Sequence, residues 1–132
     1  MSVEENKEVV QAFYEAGNIG DVDKLLCLLS DDIVWTNTGN TSLSMTCNGK
    51  QNLIENLFGP LFGRLRGGII AHVDNMFGEG DWIAVQVRGE ATTVDGTPYN
   101  NTYCHIFRVK DGQIVETTEY FDTELVTAVF GG

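Results

Sequence analysis

The amino-acid sequence predicts an α+β fold in which three N-terminal helices pack on a strongly curved, mainly antiparallel sheet. In the first half of the chain, apolar residues recur every three or four positions, as on one face of a helix. After the pair Gly67-Gly68 the apolar period changes to two, as in strands with one buried face. Helices followed by a meander of strands are typical of α+β domains. Because long twisted sheets curl, we expect the helices to cover the concave side and to enclose a conical internal pocket.

Three helices are predicted in the first half. The first spans residues 4–16, where apolar side chains are spaced for one face. The second begins after Asp21, a good N-cap, and ends before the polar run at residues 30–32. The third spans residues 50–58, and Gly59-Pro60 kinks or stops it.

Strands account for most of the remaining chain. The predicted strands are residues 33–37, 69–77, 82–93, 99–109 and 113–121. Asp95-Gly96 and Asp111-Gly112 are hairpin turn signals between alternating segments. Residues 38–48 are predicted to be a polar loop, and residues 124–130 a short tail that docks on the body.

The size and charge of the chain limit its class. Its 132 residues predict a single domain, residues 1–132, and the 42% of apolar residues are enough for a globular core. The net charge of −11 argues against nucleic acids and anionic membrane surfaces as partners, because both reward Lys and Arg.

The cysteines and the N-terminus point to a reducing compartment. Cys27, Cys47 and Cys104 have neither the spacing of a metal site nor that of a disulfide framework. Residues 2–8 are acidic and polar, unlike a secretory signal, and no apolar run approaches the roughly 18 residues of a membrane span. We therefore expect a cytoplasmic protein with no metal site.

The last predicted hairpin places His105 near Glu119, because the two residues are almost equidistant from Gly112. Tyr103, His105 and Phe107 share one strand face, so the imidazole and the carboxylate meet among aromatic side chains. The pair is either an acid–base couple or a cross-strand contact worth roughly 0.2–1 kcal/mol.

Several stretches resemble the SnoaL-like branch of the nuclear transport factor 2-like superfamily, which also holds ketosteroid isomerases and limonene epoxide hydrolases. The matching stretches are Phe13-Tyr14-Glu15-Ala16 with Gly20-Asp21, residues 31–35, residues 105–116 and residues 119–122. The resemblance implies a cone-shaped α+β barrel with a mainly apolar pocket for a small apolar organic ligand. It also implies a homodimer formed through the sheet.

The resemblance implies different site residues for different relatives. In SnoaL-like polyketide cyclases, a His and an Asp on the last hairpin transfer the proton, and His105 and Glu119 match them. The tyrosine and aspartate of ketosteroid isomerases correspond to Phe13 and Asn37, which lack the required groups.

Limonene epoxide hydrolases offer a second match. Their Arg and acid on a middle strand correspond to Arg88 and Glu90, which would act with Glu119. The same strand has apolar residues on its other face, so this arrangement requires a dimer partner to cover that face. Otherwise Arg88 and Glu90 are solvated.

Further side chains are expected to line the pocket or fill the core. They are Trp35, Trp82, Tyr103, Phe107 and Phe121. Tyr14 and Tyr120 are candidates to supply hydroxyl groups to the pocket. Asn37 is expected either to bind a ligand or water, or to cap a turn at the strand end. His72 stands alone in an apolar strand and is predicted to be structural.

Three functions remain open from the sequence. The first is a cofactor-free acid–base enzyme, a cyclase or isomerase acting on an apolar carbonyl compound. Its base would be Glu119 or His105, and Asn37 and Tyr103 would be the orienting donors. The second is an epoxide hydrolase. The third is a non-catalytic ligand-binding or dimerisation module.

Overall fold

The computed structural model describes residues 1–131 and arranges short and long helices against one six-stranded sheet. In chain order the elements are α1 (Val3–Asn18), α2 (Val22–Cys27), β1 (Leu29–Asn37), β2 (Met45–Asn48), α3 (Lys50–Leu53), a π-helical turn (Ile54–Phe58), α4 (Gly59–Gly63), β3 (Ile70–Glu79), β4 (Trp82–Glu90), β5 (Thr102–Lys110), β6 (Gln113–Phe121) and α5 (Thr123–Phe130). The predicted α+β class is confirmed.

The strand order is β2-β1-β6-β5-β4-β3. Neighbouring strands are antiparallel except β1 and β6, which pair in parallel and set Asn37 beside Glu119. The first strand of the chain therefore lies next to the last one at the centre of the sheet. The sheet is curved but does not close, because β2 and β3 remain its edges, so the expected barrel is an open one.

Helix α1 is fixed at both ends. Ser2 and Glu5 form a capping box at its start, each side chain accepting from the other residue's backbone N–H. At its end, the Asn18 amide bonds both the N–H and the carbonyl of Ala71 on β3. The apolar face between these anchors packs on the concave side of the sheet, as the predicted helix of residues 4–16 requires.

The segment after α2 differs from the prediction. Asp21 caps α2 as expected, accepting from the Lys24 N–H. Helix α2 ends before the polar run at residues 30–32, which is part of strand β1. Leu29 and Ile33, on either side of this run, are fully buried. The predicted loop at residues 38–48 contains β2, an edge strand whose Cys47 is buried opposite Trp35.

The third helix was predicted to kink or stop at Gly59-Pro60, and it continues with an irregular turn. The Gly59 N–H bonds the Ile54 carbonyl five residues back, which widens the helix by one residue at that turn. Pro60 follows directly in the first turn of α4. Residues 50–63 form one continuous helical lid over the concave face.

The last two strands form the predicted hairpin, with β5 beginning at Thr102 and not at residue 99, and a helix follows them. Asp111 and Gly112 both have positive φ, 52° and 77°, as a two-residue type I′ hairpin turn requires. The tail predicted at residues 124–130 is helix α5, capped by Asp122. It docks through Val126, which is fully buried, and through Phe130 against the Tyr99 ring.

No helix among residues 1–131 is both long enough and apolar enough to cross a bilayer.

Candidate active site

The centre of the site is a contact between β5 and β6. His105 and Glu119 are direct partners in the antiparallel register, and both side chains point to the concave face. His105 Nε2 lies 2.7 Å from Glu119 Oε1, and the two side chains are 8% and 17% exposed. The proximity that the hairpin predicted is present in the structure.

Tyr14 of α1 completes a three-residue chain. Its hydroxyl oxygen lies 2.6 Å from His105 Nδ1, across 91 residues of sequence. Tyr14 was expected to offer its hydroxyl to the pocket and was not paired with His105. Nothing in the local sequence pairs it with His105, because the contact depends on how α1 crosses the sheet.

The hydrogen bonds favour one placement of the protons. Burial, and secondarily the charge of Glu119, raise the pKa of Tyr14, so its hydroxyl stays protonated. Within residues 1–131 the only hydrogen-bond partner of that hydroxyl is His105 Nδ1, and we assign Tyr14 as the donor, since a donation from Nδ1 would leave the hydroxyl proton without an acceptor. In this assignment His105 carries its proton on Nε2 and donates it to Glu119.

Glu119 is the member of this chain that can accept a proton. Its Oε1 accepts the bond from His105, whereas Oε2 has no hydrogen-bond partner within the described residues. The side chain lines the main cavity, so Oε2 is the atom available to a bound molecule.

The cavity lies between the sheet, α1 and the helical lid, with a volume of about 550 Å³. This volume suits a drug-sized organic molecule. Most lining side chains are apolar or aromatic, and none is Lys or Arg. The aromatic lining residues are Phe13, Tyr14, Trp35, Phe58, Phe62, Tyr99, Tyr103 and Phe121.

Three of the aromatic residues expected at the pocket do not line it. Trp82 and Tyr120 are about half exposed on the outer face of the sheet, and Phe107 belongs to the core. Its side chain is fully buried and packs beneath the cavity floor, edge-on to the Phe13 and Tyr14 rings at 5.8 and 5.9 Å. It supports Tyr14 and His105 from behind and cannot touch a ligand in the cavity.

Asn37 lines the cavity but is largely occupied by protein contacts. Its Oδ1 accepts from the Trp35 indole N–H at 2.9 Å, and its Nδ2 donates to the Leu43 carbonyl at 3.0 Å. It thereby fixes the Trp35 ring and the loop between β1 and β2. One amide N–H remains for a ligand.

Arg88 and Glu90 do not reach the cavity, so the expected arrangement of these residues with Glu119 is corrected. On β4, Ile83, Val85 and Val87 face inward and are buried, which places Arg88 and Glu90 on the outer face. Their side chains are 60% and 66% exposed.

Each of the two residues has a partner on the outer face. Arg88 forms a bidentate ion pair with Asp74, and Glu90 lies 3.2 Å from His72 Nε2. His72 was predicted to be a structural residue in an apolar strand. Its side chain is 41% exposed and lies beside the Glu90 carboxylate.

No group of three His, Cys, Asp or Glu side chains in residues 1–131 is arranged to hold a metal ion.

The chain resembles known proteins at the levels of family and fold. The family model described as SnoaL-like domain matches residues 10–117. No curated protein sequence gives a significant match.

Many solved structures share the fold. An NTF2-like protein of unknown function from Burkholderia pseudomallei is 24% identical with a TM-score of 0.83, covering 100% of both chains. A LEH-like epoxide hydrolase from M. tuberculosis is 22% identical with a TM-score of 0.78, covering 96% of this chain and 89% of its own. TerC, co-crystallised with polyporic acid, is 24% identical with a TM-score of 0.79, and the match covers 92% of this chain and 98% of TerC. At these identities the likeness is one of fold.

Proposed function

Because the chain belongs to the SnoaL-like domain family, we propose that it is a cofactor-independent acid–base enzyme acting on a small apolar carbonyl compound. The single observation that carries the proposal is the chain of hydrogen bonds from Tyr14 through His105 to Glu119, which ends on a carboxylate oxygen open to an apolar cavity.

The chemistry assigns the base role to Glu119. Oε2 takes a proton from the carbon next to the substrate carbonyl, and the electron pair of the broken C–H bond becomes an enolate. Isomerisation results when the proton returns to the enolate oxygen, to the opposite face of the same carbon, or to the γ-carbon of a conjugated dienolate. Cyclisation results when the enolate carbon instead attacks a second carbonyl of the same molecule. In the second case the proton goes to the newly formed alkoxide.

His105 is a positioning residue in this scheme. The Tyr14 hydroxyl donates to Nδ1, so Nε2 already carries the proton and cannot accept another. The imidazole orients the carboxylate and leaves Oε2 as its more basic, uncommitted oxygen.

Solvent-deuterium exchange into a ketone tests the proposal. We expect the wild-type protein to catalyse exchange of the α-protons of 1-tetralone in D₂O, followed by proton NMR. Glu119→Gln should reduce the enzymatic rate by about 10²–10⁴-fold, because general-base contributions have that size. Glu90→Gln, an exposed acid outside the cavity, is the matched control and should keep the wild-type rate.

Two results would count against this reading. Exchange no faster than in buffer, in the presence of demonstrated ketone binding, would favour a non-catalytic binding module. An unchanged rate in Glu119→Gln would remove the base from the scheme.

Epoxide hydrolysis receives less support from this chain. Arg88 and Glu90, the residues that this reaction would need, lie on the outer face of the sheet. The described lining of the cavity contains no arginine. The likeness to an epoxide hydrolase is one of fold.

A second copy of the chain is the proposed partner on the outer face of the sheet. Phe77, Ala84, Ile106 and Thr118 form a row across four paired strands of that face. Trp82 and Tyr120 extend it, and both are about half exposed. A sheet face with this much apolar surface is typical of an association surface.

A further inference from the structure

Tyr99 and Tyr103 form a second polar point in the cavity, separate from Glu119. Tyr103 lies two residues from His105 on β5, and their rings stack at 5.5 Å between centroids. Tyr99 lies before β5 on the far side of Tyr103. Both tyrosines line the cavity and are at least nine-tenths buried.

The hydroxyl of Tyr99 is held by Asn101. Asn101 Nδ2 donates to the Tyr99 oxygen at 3.1 Å, and Asn101 is 1% exposed. The orientation of this amide is determined, since its Oδ1 accepts from the backbone N–H groups of Thr102 and Asp122 at 2.7 and 3.1 Å. The Tyr99 oxygen is therefore an acceptor of this bond.

Tyr103 is the second buried tyrosine in this part of the cavity. Burial raises the pKa of both tyrosines, so both hydroxyls keep their protons.

Both rings are fixed by packing. The Tyr99 ring meets the Phe130 ring edge-on at 4.8 Å between centroids. The Tyr103 ring lies against bare backbone at Gly89, where an added Cβ would come within 2.9 Å of Tyr103 Cε2. A tyrosine hydroxyl held in this way is pre-organised.

The proton of Tyr99 has no acceptor within residues 1–131, although its oxygen accepts the bond from Asn101. A buried donor without an acceptor is unfavourable, and the donation from Asn101 to the Tyr99 oxygen makes the Tyr99 proton a better donor. The lining holds no Lys or Arg and contains the carboxylate of Glu119, so an uncharged oxygen suits this position better than an anion.

We propose that the Tyr99 hydroxyl, held by Asn101, is the binding subsite for an uncharged carbonyl or ether oxygen of an otherwise apolar, ring-containing ligand. The inference uses the cavity of the proposed function but not its chemistry. If that function is correct, the ligand oxygen at Tyr99 fixes which carbon faces Glu119.

A matched pair of probes tests the subsite. 2-Acetonaphthone and 2-isopropenylnaphthalene have nearly the same shape and differ in the oxygen that accepts a hydrogen bond. We expect the wild type to bind the ketone about tenfold more tightly than the alkene, measured by quenching of tryptophan fluorescence. Tyr99→Phe should lose this preference by weakening ketone binding alone, whereas Tyr120→Phe, at a half-exposed residue on the outer face, should keep it.

A vibrational readout separates a direct bond from a change in packing. The carbonyl stretch of bound 2-acetonaphthone should lie at lower wavenumber in the wild type than in Tyr99→Phe. If Tyr99→Phe does not fold, the wild-type spectrum still decides, because a band at the position of an unbonded ketone would overturn the proposal. Equal affinity of the wild type for both probes, or no ketone binding, would do the same.

The two proposals fail in different ways. Loss of exchange in Glu119→Gln with the ketone preference intact supports both. A ketone preference without any exchange leaves the subsite in place and removes the enzyme. Exchange that survives in Tyr99→Phe with unchanged ketone affinity removes the subsite and leaves the enzyme.

Discussion

At the scale of residues, the feature that matters most is the Tyr14 hydroxyl. His105 and Glu119 alone would be a cross-strand pair of modest stabilising energy, with the proton free to occupy either ring nitrogen. The donation from Tyr14 selects one tautomer, and the enclosing aromatic rings of Trp35 and Tyr103 keep water from competing.

The tautomer can be observed directly. Long-range ¹⁵N NMR should show a pyridine-type Nδ1 and a pyrrole-type Nε2 for His105, with His72→Gln used to remove the other histidine signal. Tyr14→Phe should reduce the free energy of unfolding by about 1–3 kcal/mol, because it leaves a buried acceptor unpaired. A pyrrole-type Nδ1 in the wild type would contradict the assignment and return His105 to the list of bases.

The buried tyrosines predict a loss of stability at high pH. Their pKa values are raised by burial, so between about pH 10 and the folded-state pKa the unfolded chain loses protons that the folded chain keeps. The folded state then binds more protons than the unfolded state, and stability falls as pH rises. Tyr14 and Tyr103 together give a slope of roughly 3 kcal/mol per pH unit.

Urea unfolding at several pH values above about pH 10 measures this slope. Tyr14→Phe should reduce the slope by about 1.4 kcal/mol per pH unit. An identical slope in the variant would mean that Tyr14 ionises as readily in the folded state as in the unfolded chain.

At the scale of elements, prediction succeeded where the signal is local. The last hairpin followed from alternation and from Asp111-Gly112, whose backbone has the positive φ values of the expected turn. Strand β2 was missed because four residues with one buried side chain give no readable period. Gly59-Pro60 was predicted to kink or stop the third helix, and of these two outcomes the structure has an irregularity, a π-helical turn directly before Pro60, after which the helix continues.

Two glycine substitutions test the turn. Gly112→Ala should lower the free energy of unfolding by about 1 kcal/mol, because φ there is 77° and no side chain or backbone atom is close enough to clash. Gly63→Ala, equally uncrowded but helical, is the control and should raise it by roughly 0.5–1 kcal/mol. A neutral Gly112→Ala in urea unfolding would show that the turn tolerates another geometry.

At the scale of the whole molecule, the sequence alone did not determine which face of strand β4 points into the cavity. Alternation on β4 correctly divided Ile83, Val85 and Val87 from Arg88 and Glu90, but the resemblance to epoxide hydrolases placed the charged face inward. Tyr14 could not be joined to His105 because no local rule links residues 91 positions apart. The His105–Glu119 contact was predictable because one turn sets it.

The proposed dimer belongs to the same scale. Phe77→Asp should give a monomer in light scattering coupled to gel filtration, since it introduces a charge into an apolar contact at a position 59% exposed in the single chain. Val94→Asp, also 59% exposed but in the loop after β4, should leave the assembly unchanged. A wild-type protein that is monomeric at high concentration would contradict the proposal.

The parallel pairing of β1 with β6 has a consequence for synthesis on the ribosome. Strand β6, which adjoins β1, is translated after the other five strands, and it carries Glu119. Until β6 emerges, the nascent chain lacks both this carboxylate and the strand that pairs with the inner edge of β1. The apolar lining is then open to chaperones or to other chains, and ligand capture can begin only after β6 has been translated.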